Sequence, residues 1–125
     1  MRLLLDTHIF LWCVTKDRKL SKKAQELIEE AVEVYVSSAS IWEIAIKVKI
    51  GKLNANIEEL VSAIFSSGFT ELPITAQHAA ALNRLTDIHR DPFDRMLLAQ
   101  TITEPLNFLT ADKTLESYSP LVLLL

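Results

Sequence analysis

The chain has 125 residues, of which 50% are hydrophobic and 23% charged, with a formal net charge of −3. This composition excludes an intrinsically disordered chain, and the acidic balance argues against a surface that binds nucleic acid over its whole area. The only two glycines, Gly51 and Gly68, cannot form the glycine-rich loops that hold dinucleotides or nucleoside triphosphates. The single cysteine, Cys13, excludes a disulfide framework and a thiolate zinc site.

Short apolar runs alternate with longer helical patterns along the chain. In chain order, we predict a strand at 3–5, helices at 7–15 and 21–31, a strand at 34–36, helices at 38–50 and 57–67, a strand at 69–72, helices at 75–85 and 92–103, a strand at 107–109, a helical turn from 112, and a strand at 121–125. Strands separated by helices predict parallel pairing with crossover helices on both faces. We therefore expect a three-layer α/β/α fold with a parallel sheet of about five strands.

No apolar run reaches the roughly 18 residues of a membrane span, and no secretory signal is recognisable. No linker, repeat or low-complexity stretch divides the chain. We therefore expect residues 1–125 to form one cytoplasmic domain with no membrane partner.

Five acidic residues fall where predicted strands end or helices begin. Asp6 follows the first strand and Asp112 follows the fourth; Glu43 lies in the first turns of the helix after the second strand, and Asp91 and Asp94 begin the helix before the fourth strand. Ligands of open parallel sheets bind beyond the carboxyl ends of the strands, where strand order reverses. We therefore expect these side chains to share one crevice.

Each acid also has a local explanation. Asp6, Asp91 and Asp112 could cap the helical segments that follow them, and Pro92 after Asp91 is typical of a helix start. Asp94 would interact favourably with the helix dipole. Ser40 and Glu43 match a capping box, and Glu43 could pair with Lys47 one turn later. For Asp91 the capping role is the favoured interpretation.

The apolar neighbourhood of Glu43 favours a further role for the group as a whole. Ile41, Trp42, Ile44 and Ile46 offer little polar surface to solvate a carboxylate, which then needs a cation or a hydrogen-bond donor. Several carboxylates in one crevice repel one another, and Mg²⁺ or Mn²⁺, which take oxygen ligands, would relieve the repulsion. Such a site is suited to phosphodiester hydrolysis, which needs no nucleophilic side chain.

Four motifs of the chain resemble, in their order, those of a PIN domain, and most of all those of the small VapC-type toxins of prokaryotic toxin–antitoxin pairs. These motifs are LLLDTH, SASIWEIAIK, DPFDRMLLAQ and LTAD. The resemblance covers essentially the whole chain. It implies a sheet in the order 3-2-1-4-5 and a metal-dependent endoribonuclease that cleaves RNA. It also implies a cognate VapB-like antitoxin as partner and a homodimer.

The resemblance implies that Mg²⁺ or Mn²⁺ is held by an acidic quartet of Asp6, Glu43, Asp94 and Asp112, which would be the catalytic residues. Five residues are weaker candidates. Asp91 is a further acid, and Thr7 and Thr110 could position a metal-bound water or a phosphate. Arg95 and Lys113 each follow a predicted ligand and could contact phosphate, although a surface ion pair is an equal alternative.

Other polar and aromatic residues have simpler interpretations. We expect His8 on a helix surface or at a dimer contact rather than at a metal, and His78 in the core or at an interface. His89 and Arg90 are assigned to the loop before Asp91. Trp12 and Trp42 are expected in the core. A basic stretch near the pocket side of the first two helices comprises Lys16, Arg18, Lys19, Lys22 and Lys23; a solvated surface is its favoured interpretation, and contact with an RNA backbone is the alternative.

Two other functions stay open at this point. The first is a catalytically silent PIN-like module that binds RNA or a protein. The second is a phosphatase of the haloacid dehalogenase kind, which also places an aspartate after its first strand. That chemistry needs a second acid two residues later, and His8 occupies this position, which disfavours it.

Overall fold

The computed structural model describes residues 1–86 and 91–125, and within them it contains a five-stranded sheet whose four pairings are all parallel. The strands are β1 (Arg2–Leu5), β2 (Glu33–Ser37), β3 (Thr70–Leu72), β4 (Asn107–Thr110) and β5 (Val122–Leu124). Their order across the sheet is β3-β2-β1-β4-β5, which confirms the predicted topology. Strand order therefore reverses beside β1.

Helices cover both faces of the sheet, as predicted. They are α1 (Thr7–Thr15), α2 (Lys22–Glu30), α3 (Ser38–Lys49), α4 (Ile57–Ser66), α5 (Ala76–Ala81) and α6 (Pro92–Thr103), with 3₁₀ turns at Leu82–Arg84 and Lys113–Tyr118. Leu3 and Leu5 pack against α1, α2 and α4, whereas Leu4 points to the opposite face and packs against α6. All three leucines are fully buried, each stabilising the fold by about 1.5–3 kcal/mol.

Several predicted helix boundaries are confirmed by the backbone. Gly51 and Gly68 follow α3 and α4 with φ angles of +78° and +80°, the left-handed conformation in which glycine commonly ends a helix. Asp91 caps α6, and Pro92 is its first residue. The side chain of His78 is buried, as predicted, where it accepts a hydrogen bond from the Thr75 amide and contacts the Glu104 carboxylate.

Three local predictions are wrong. The Ser40 and Glu43 capping box does not form, because the N-cap of α3 is Ser37, whose hydroxyl accepts from the Ala39 amide. The helix predicted at 75–85 ends earlier: α5 stops at Ala81 and continues as a 3₁₀ turn. Trp42 is 59% exposed instead of buried, because the buried face of α3 lies on the other side of the helix.

The loop assignment of His89 and Arg90 concerns residues outside the described segments. Within the described ones, none of the helices combines the length and the apolar character that crossing a bilayer requires.

Candidate active site

The reversal of strand order brings the ends of β1 and β4 side by side. Leu5 pairs with Leu109 in the parallel register, and the Asp6 amide donates to the Leu109 carbonyl at 2.9 Å. Asp6 and Asp112 therefore leave adjacent strands at the same edge of the sheet, as the topology of this fold class requires.

A cleft of about 590 Å³ opens at this edge, and we call it the acidic cleft. It is lined by Asp6, His8, Trp12, Lys19, Glu43, Lys47, Asp91, Asp94, Ala111 and Asp112. All four members of the predicted quartet, together with Asp91, thus line one cavity although they come from four separate parts of the sequence. Among the residues that the structure describes, five carboxylates and two lysines face this cavity.

Asp6 is 5% exposed and occupies the junction between β1 and α1. Its Oδ1 accepts from the Thr7 amide at 2.7 Å, and its Oδ2 accepts from the Thr110 hydroxyl at 2.6 Å. Burial raises the pKa of Asp6, and the nearby Glu43 charge adds to this; the hydrogen bonds from Thr110 and Thr7 and the proximity of His8 act in the opposite direction. The predicted capping role of Asp6 is confirmed and coexists with its place in the cleft.

Thr7 and Thr110 are buried beneath the cleft and are not part of its lining. Thr110 donates to Asp6 and its hydroxyl oxygen accepts from the Asp112 amide at 3.0 Å, so one side chain joins two acidic residues. Thr7 donates to the hydroxyl of Ser40 at 2.9 Å, which connects the end of β1 with α3. Both threonines therefore act on the cleft through the residues they hold.

Glu43 is 7% exposed and projects from α3 into the cleft. Its Oε2 accepts from Lys47 Nζ at 3.0 Å, which confirms the predicted pair one turn apart. Its Oε1 is buried and has no hydrogen-bond donor among the described residues. A buried carboxylate oxygen without a donor is costly, so this atom favours a cation as ligand.

Asp91 and Asp112 combine a capping role with a place in the cleft, and Asp94 lies in the first turn of the helix that Asp91 caps. Asp91 Oδ1 accepts from the Phe93 and Asp94 amides at 2.9 and 3.0 Å, which supports the favoured capping interpretation. Asp94 follows in the first turn of α6 and is partly buried. Asp112 Oδ1 accepts from the amide and the hydroxyl of Thr114 at 3.0 and 2.7 Å.

The two predicted phosphate-contacting cations lie outside the lining of the cleft among the described residues. Arg95 donates instead to the Thr86 carbonyl at 2.7 Å and to the Leu82 carbonyl at 3.4 Å. Lys113 is exposed at the start of the second 3₁₀ turn.

Further side chains line the cleft beside the predicted site residues. Lys19 belongs to the basic stretch for which an RNA contact is the alternative to a solvated surface. Lys47 was predicted only as the partner of Glu43, from their spacing of four residues, and it lines the cleft as well. Trp12 was expected to be wholly core, yet it packs against the core and also lines the cleft.

The donor set fits a hard divalent cation by its chemistry. Carboxylate oxygens are the preferred ligands of Mg²⁺ and Mn²⁺, and Glu43 Oε1 supplies one that lacks a donor within the described part of the chain. Within residues 1–86 and 91–125, no three acidic, histidine or cysteine side chains stand close enough together to form a ready-made coordination sphere. The carboxylates thus line one cavity, and those of Asp6, Glu43, Asp91 and Asp112 accept hydrogen bonds from protein donors.

A sequence model of the PIN domain family matches residues 3–119. Among curated proteins, the chain is 29% identical to Ribonuclease VapC22 of Mycobacterium tuberculosis over 121 residues, covering 92% of this chain and 90% of that protein. Both the family model and this ribonuclease are similar to the chain over nearly its full length.

Solved structures show the same fold at low sequence identity. VapBC2 from Rickettsia felis, bound to a DNA fragment from its promoter, matches with a TM-score of 0.73 and 18% identity over 100% of this chain and 98% of that one. A toxin–antitoxin complex from Klebsiella pneumoniae matches with a TM-score of 0.67 and 20% identity, over 97% of this chain and 95% of that one. FitAcB from Neisseria gonorrhoeae matches with a TM-score of 0.63 and 16% identity, over 90% of this chain and 88% of that one.

The family match replaces the haloacid dehalogenase alternative, which His8 already disfavoured. Three observations agree with one another: the parallel sheet in the order 3-2-1-4-5, the acidic cleft where the strand order reverses, and the sequence match from residue 3 to residue 119. The chain therefore belongs to the PIN domain family.

Proposed function

We propose that this chain is a metal-dependent endoribonuclease that hydrolyses RNA phosphodiester bonds as the toxin of a toxin–antitoxin pair. The observation that carries the proposal is the convergence of Asp6, Glu43, Asp94 and Asp112 on one cleft, with a buried Glu43 oxygen that lacks a donor among the described residues. The similarity to a protein named Ribonuclease VapC22 supports RNA as the substrate.

The acidic quartet would hold Mg²⁺ or Mn²⁺. An ion held there would supply an activated water and Lewis-acid stabilisation of the leaving oxygen, which is the chemistry that phosphodiester hydrolysis needs. Asp91 is a weaker candidate because its Oδ1 already caps α6.

The chain's own residues would position this chemistry. Thr110 fixes Asp6 and Asp112 relative to each other, and Thr7 fixes the end of β1 against α3 through Ser40. Lys19 lines the cleft and offers an ammonium for a phosphate of the RNA backbone. Arg95 and Lys113 are weaker candidates for such contacts, since neither lines the cleft among the described residues.

A cleavage assay tests the proposal directly. Purified wild-type protein is expected to cleave RNA with Mg²⁺ or Mn²⁺ and to stop with chelator. Glu43→Gln is expected to reduce the rate by about 10²-fold or more, because it removes a charged ligand. Glu71→Gln, an exposed acid on β3 outside the cleft, is the matched control and should keep wild-type activity. Cleavage unaffected by chelator would refute the metal mechanism.

The same assay addresses the silent-module alternative. A catalytically silent protein would bind RNA in a gel-shift experiment without cleaving it at any concentration of either ion. That outcome would leave the acidic cleft as a binding site and remove the enzymatic proposal.

We further propose a VapB-like antitoxin as partner, a homodimer as the assembled form, a single domain over residues 1–125, and the cytoplasm as the place of action. Structural neighbours described as toxin–antitoxin complexes support the first of these. Co-expression with the product of a small neighbouring gene should yield a stable complex with reduced RNA cleavage. Free toxin that is equally active in its presence would contradict the pairing.

A further inference from the structure

Lys47 lies one helical turn after Glu43 on α3, and the two side chains meet inside the acidic cleft. Lys47 Nζ is 3.0 Å from Glu43 Oε2, while the side chains are 37% and 9% exposed respectively. The ammonium is thus bonded to a buried carboxylate, yet it keeps access to solvent through the open side of the cleft.

The charge of Glu43 has few other partners in the described part of the chain. Its second oxygen, Oε1, is buried without a donor among the described residues. The carboxyl group of Asp6, which interacts electrostatically with Glu43, cannot compensate a negative charge. Within residues 1–86 and 91–125, Lys47 is therefore the cation that is bonded to this carboxylate.

We propose that Lys47 is a positioning residue that holds the Glu43 carboxylate in the acidic cleft and competes with a divalent cation for it. The inference rests on the proposed function only in that this cleft takes up a divalent cation. It assigns to Lys47 a role in setting how tightly that cation binds.

The physical reason is that an ammonium and a divalent ion attract the same oxygens. Bringing a second cation close to Glu43 Oε2 while Lys47 remains there adds repulsion, which is strong in a partly desolvated cavity. The flexible four-carbon stem of lysine and its partial exposure allow the ammonium to move away, at the cost of the ion pair. Cation affinity is lowered by that cost.

Lys19 provides an internal comparison, since it lines the same cleft and is exposed. The described contacts of Lys19 include no bond to Glu43, whereas Lys47 is bonded to it. Removing Lys19 changes the general electrostatic potential of the cleft, whereas removing Lys47 also frees a ligand. The two effects can therefore be separated.

The test measures Mn²⁺ binding to the full chain by titration calorimetry, without RNA. Lys47→Met keeps the length of the side chain and removes the charge, and it is expected to bind Mn²⁺ about three- to tenfold more tightly than wild type. Lys47→Arg keeps the charge and should stay within about twofold of wild type. Lys49→Met, an exposed lysine of α3 outside the cleft lining, is the matched control and should also stay within about twofold.

Lys19→Met should tighten Mn²⁺ binding less than Lys47→Met. Equal tightening in both variants would overturn the inference, because the general potential would then explain the effect. Unchanged or weaker binding in Lys47→Met would overturn it as well. Circular dichroism of each variant confirms that the comparison is made between folded proteins.

Failure of this inference and failure of the proposed function give different results. Wild-type protein that cleaves RNA and binds Mn²⁺, with no gain in Lys47→Met, overturns the inference alone. Protein that binds Mn²⁺ in the predicted order but cleaves no RNA overturns the enzymatic proposal alone. Absence of Mn²⁺ binding in every variant overturns the inference together with the metal part of the proposed function.

Discussion

Two walls of the acidic cleft hold their carboxylates in different ways. The strand wall consists of Asp6 and Asp112, with Thr110 buried beneath them, and its carboxylates accept from neutral hydroxyl and amide donors. Thr110 donates to the Asp6 carboxylate and accepts from the backbone amide of Asp112. The helix wall, formed by Glu43 and Lys47, uses one partly exposed ammonium and leaves Glu43 Oε1 without a donor among the described residues. Each wall holds a buried carboxylate, Asp6 or Glu43, but only the Glu43 carboxylate has a buried oxygen without a donor among the described residues.

The difference teaches how a cluster of acids can be both stable and able to take up a cation. Neutral donors stabilise a buried carboxylate without opposing an incoming positive charge, so the strand wall can stay in place when a cation binds. An ammonium stabilises a carboxylate through its charge and therefore opposes a second cation. We infer that the strand wall fixes the geometry of the cleft and that the helix wall adjusts.

The largest expected effect comes from breaking the strand wall at its centre. Thr110→Val keeps the shape of the side chain but removes the bond to Asp6 and the acceptor of the Asp112 amide. We expect a loss of about 1.5–3 kcal/mol in the free energy of unfolding, measured by urea denaturation.

Thr114→Val is the control for this experiment. Thr114 also donates a hydroxyl to Asp112, but at an exposed position, so the loss should stay below about 1 kcal/mol. If Thr110→Val costs no more than Thr114→Val, the strand wall is not the rigid part of the cleft.

A smaller effect is expected from the pH dependence of Asp6, measured with chelator present. Burial raises the pKa of Asp6 in the folded protein, so its ionised form costs stability above that pKa, and the cost vanishes below the pKa of the unfolded chain. The free energy of unfolding of Asp6→Asn should therefore increase relative to that of wild type as the pH rises through the Asp6 pKa. Above that pKa the difference between the two proteins should stay constant. A difference between the two proteins that does not change with pH would contradict this expectation.

The smallest effect is expected at the helix wall. Glu43→Gln loses an ion pair with a partly exposed lysine, worth about 0.3–0.5 kcal/mol, and at the same time removes a poorly solvated charge. We expect the two contributions to offset, leaving the free energy of unfolding within about 0.5 kcal/mol of wild type. A loss as large as that of Thr110→Val would show that both walls are equally rigid.

The order of strands and helices could be predicted because local signals agreed with the global fold. Apolar runs such as Leu3–Leu5, the glycines after α3 and α4, and Asp91 before Pro92 each specify a structure over a few residues. The convergence of the acids was expected from their positions at strand ends and helix starts, and the strand order that the resemblance implies agrees with it. The structure agrees with that topology and places the acids around one cavity.

Local ambiguity explains what was missed. The run SSAS offers several possible caps, and the N-cap of α3 is Ser37 because β2 continues to that residue. Trp42 lies in an apolar stretch with no strong amphipathic pattern, so its exposure depended on which face of α3 the sheet covers. The neighbouring residues alone therefore determine neither the N-cap of α3 nor the exposure of Trp42.

The sequence by itself determined the alternation of strands and helices and the presence of acids at their ends, because propensity, capping and apolar periodicity act within a few residues. Only the tertiary structure decided that Thr110 bonds Asp6 across 104 positions of sequence, that Glu43 Oε1 is buried without a donor in the described segments, and that Lys47 faces the cleft. These contacts depend on how distant segments pack, and the burial of a side chain is a property of the assembled core.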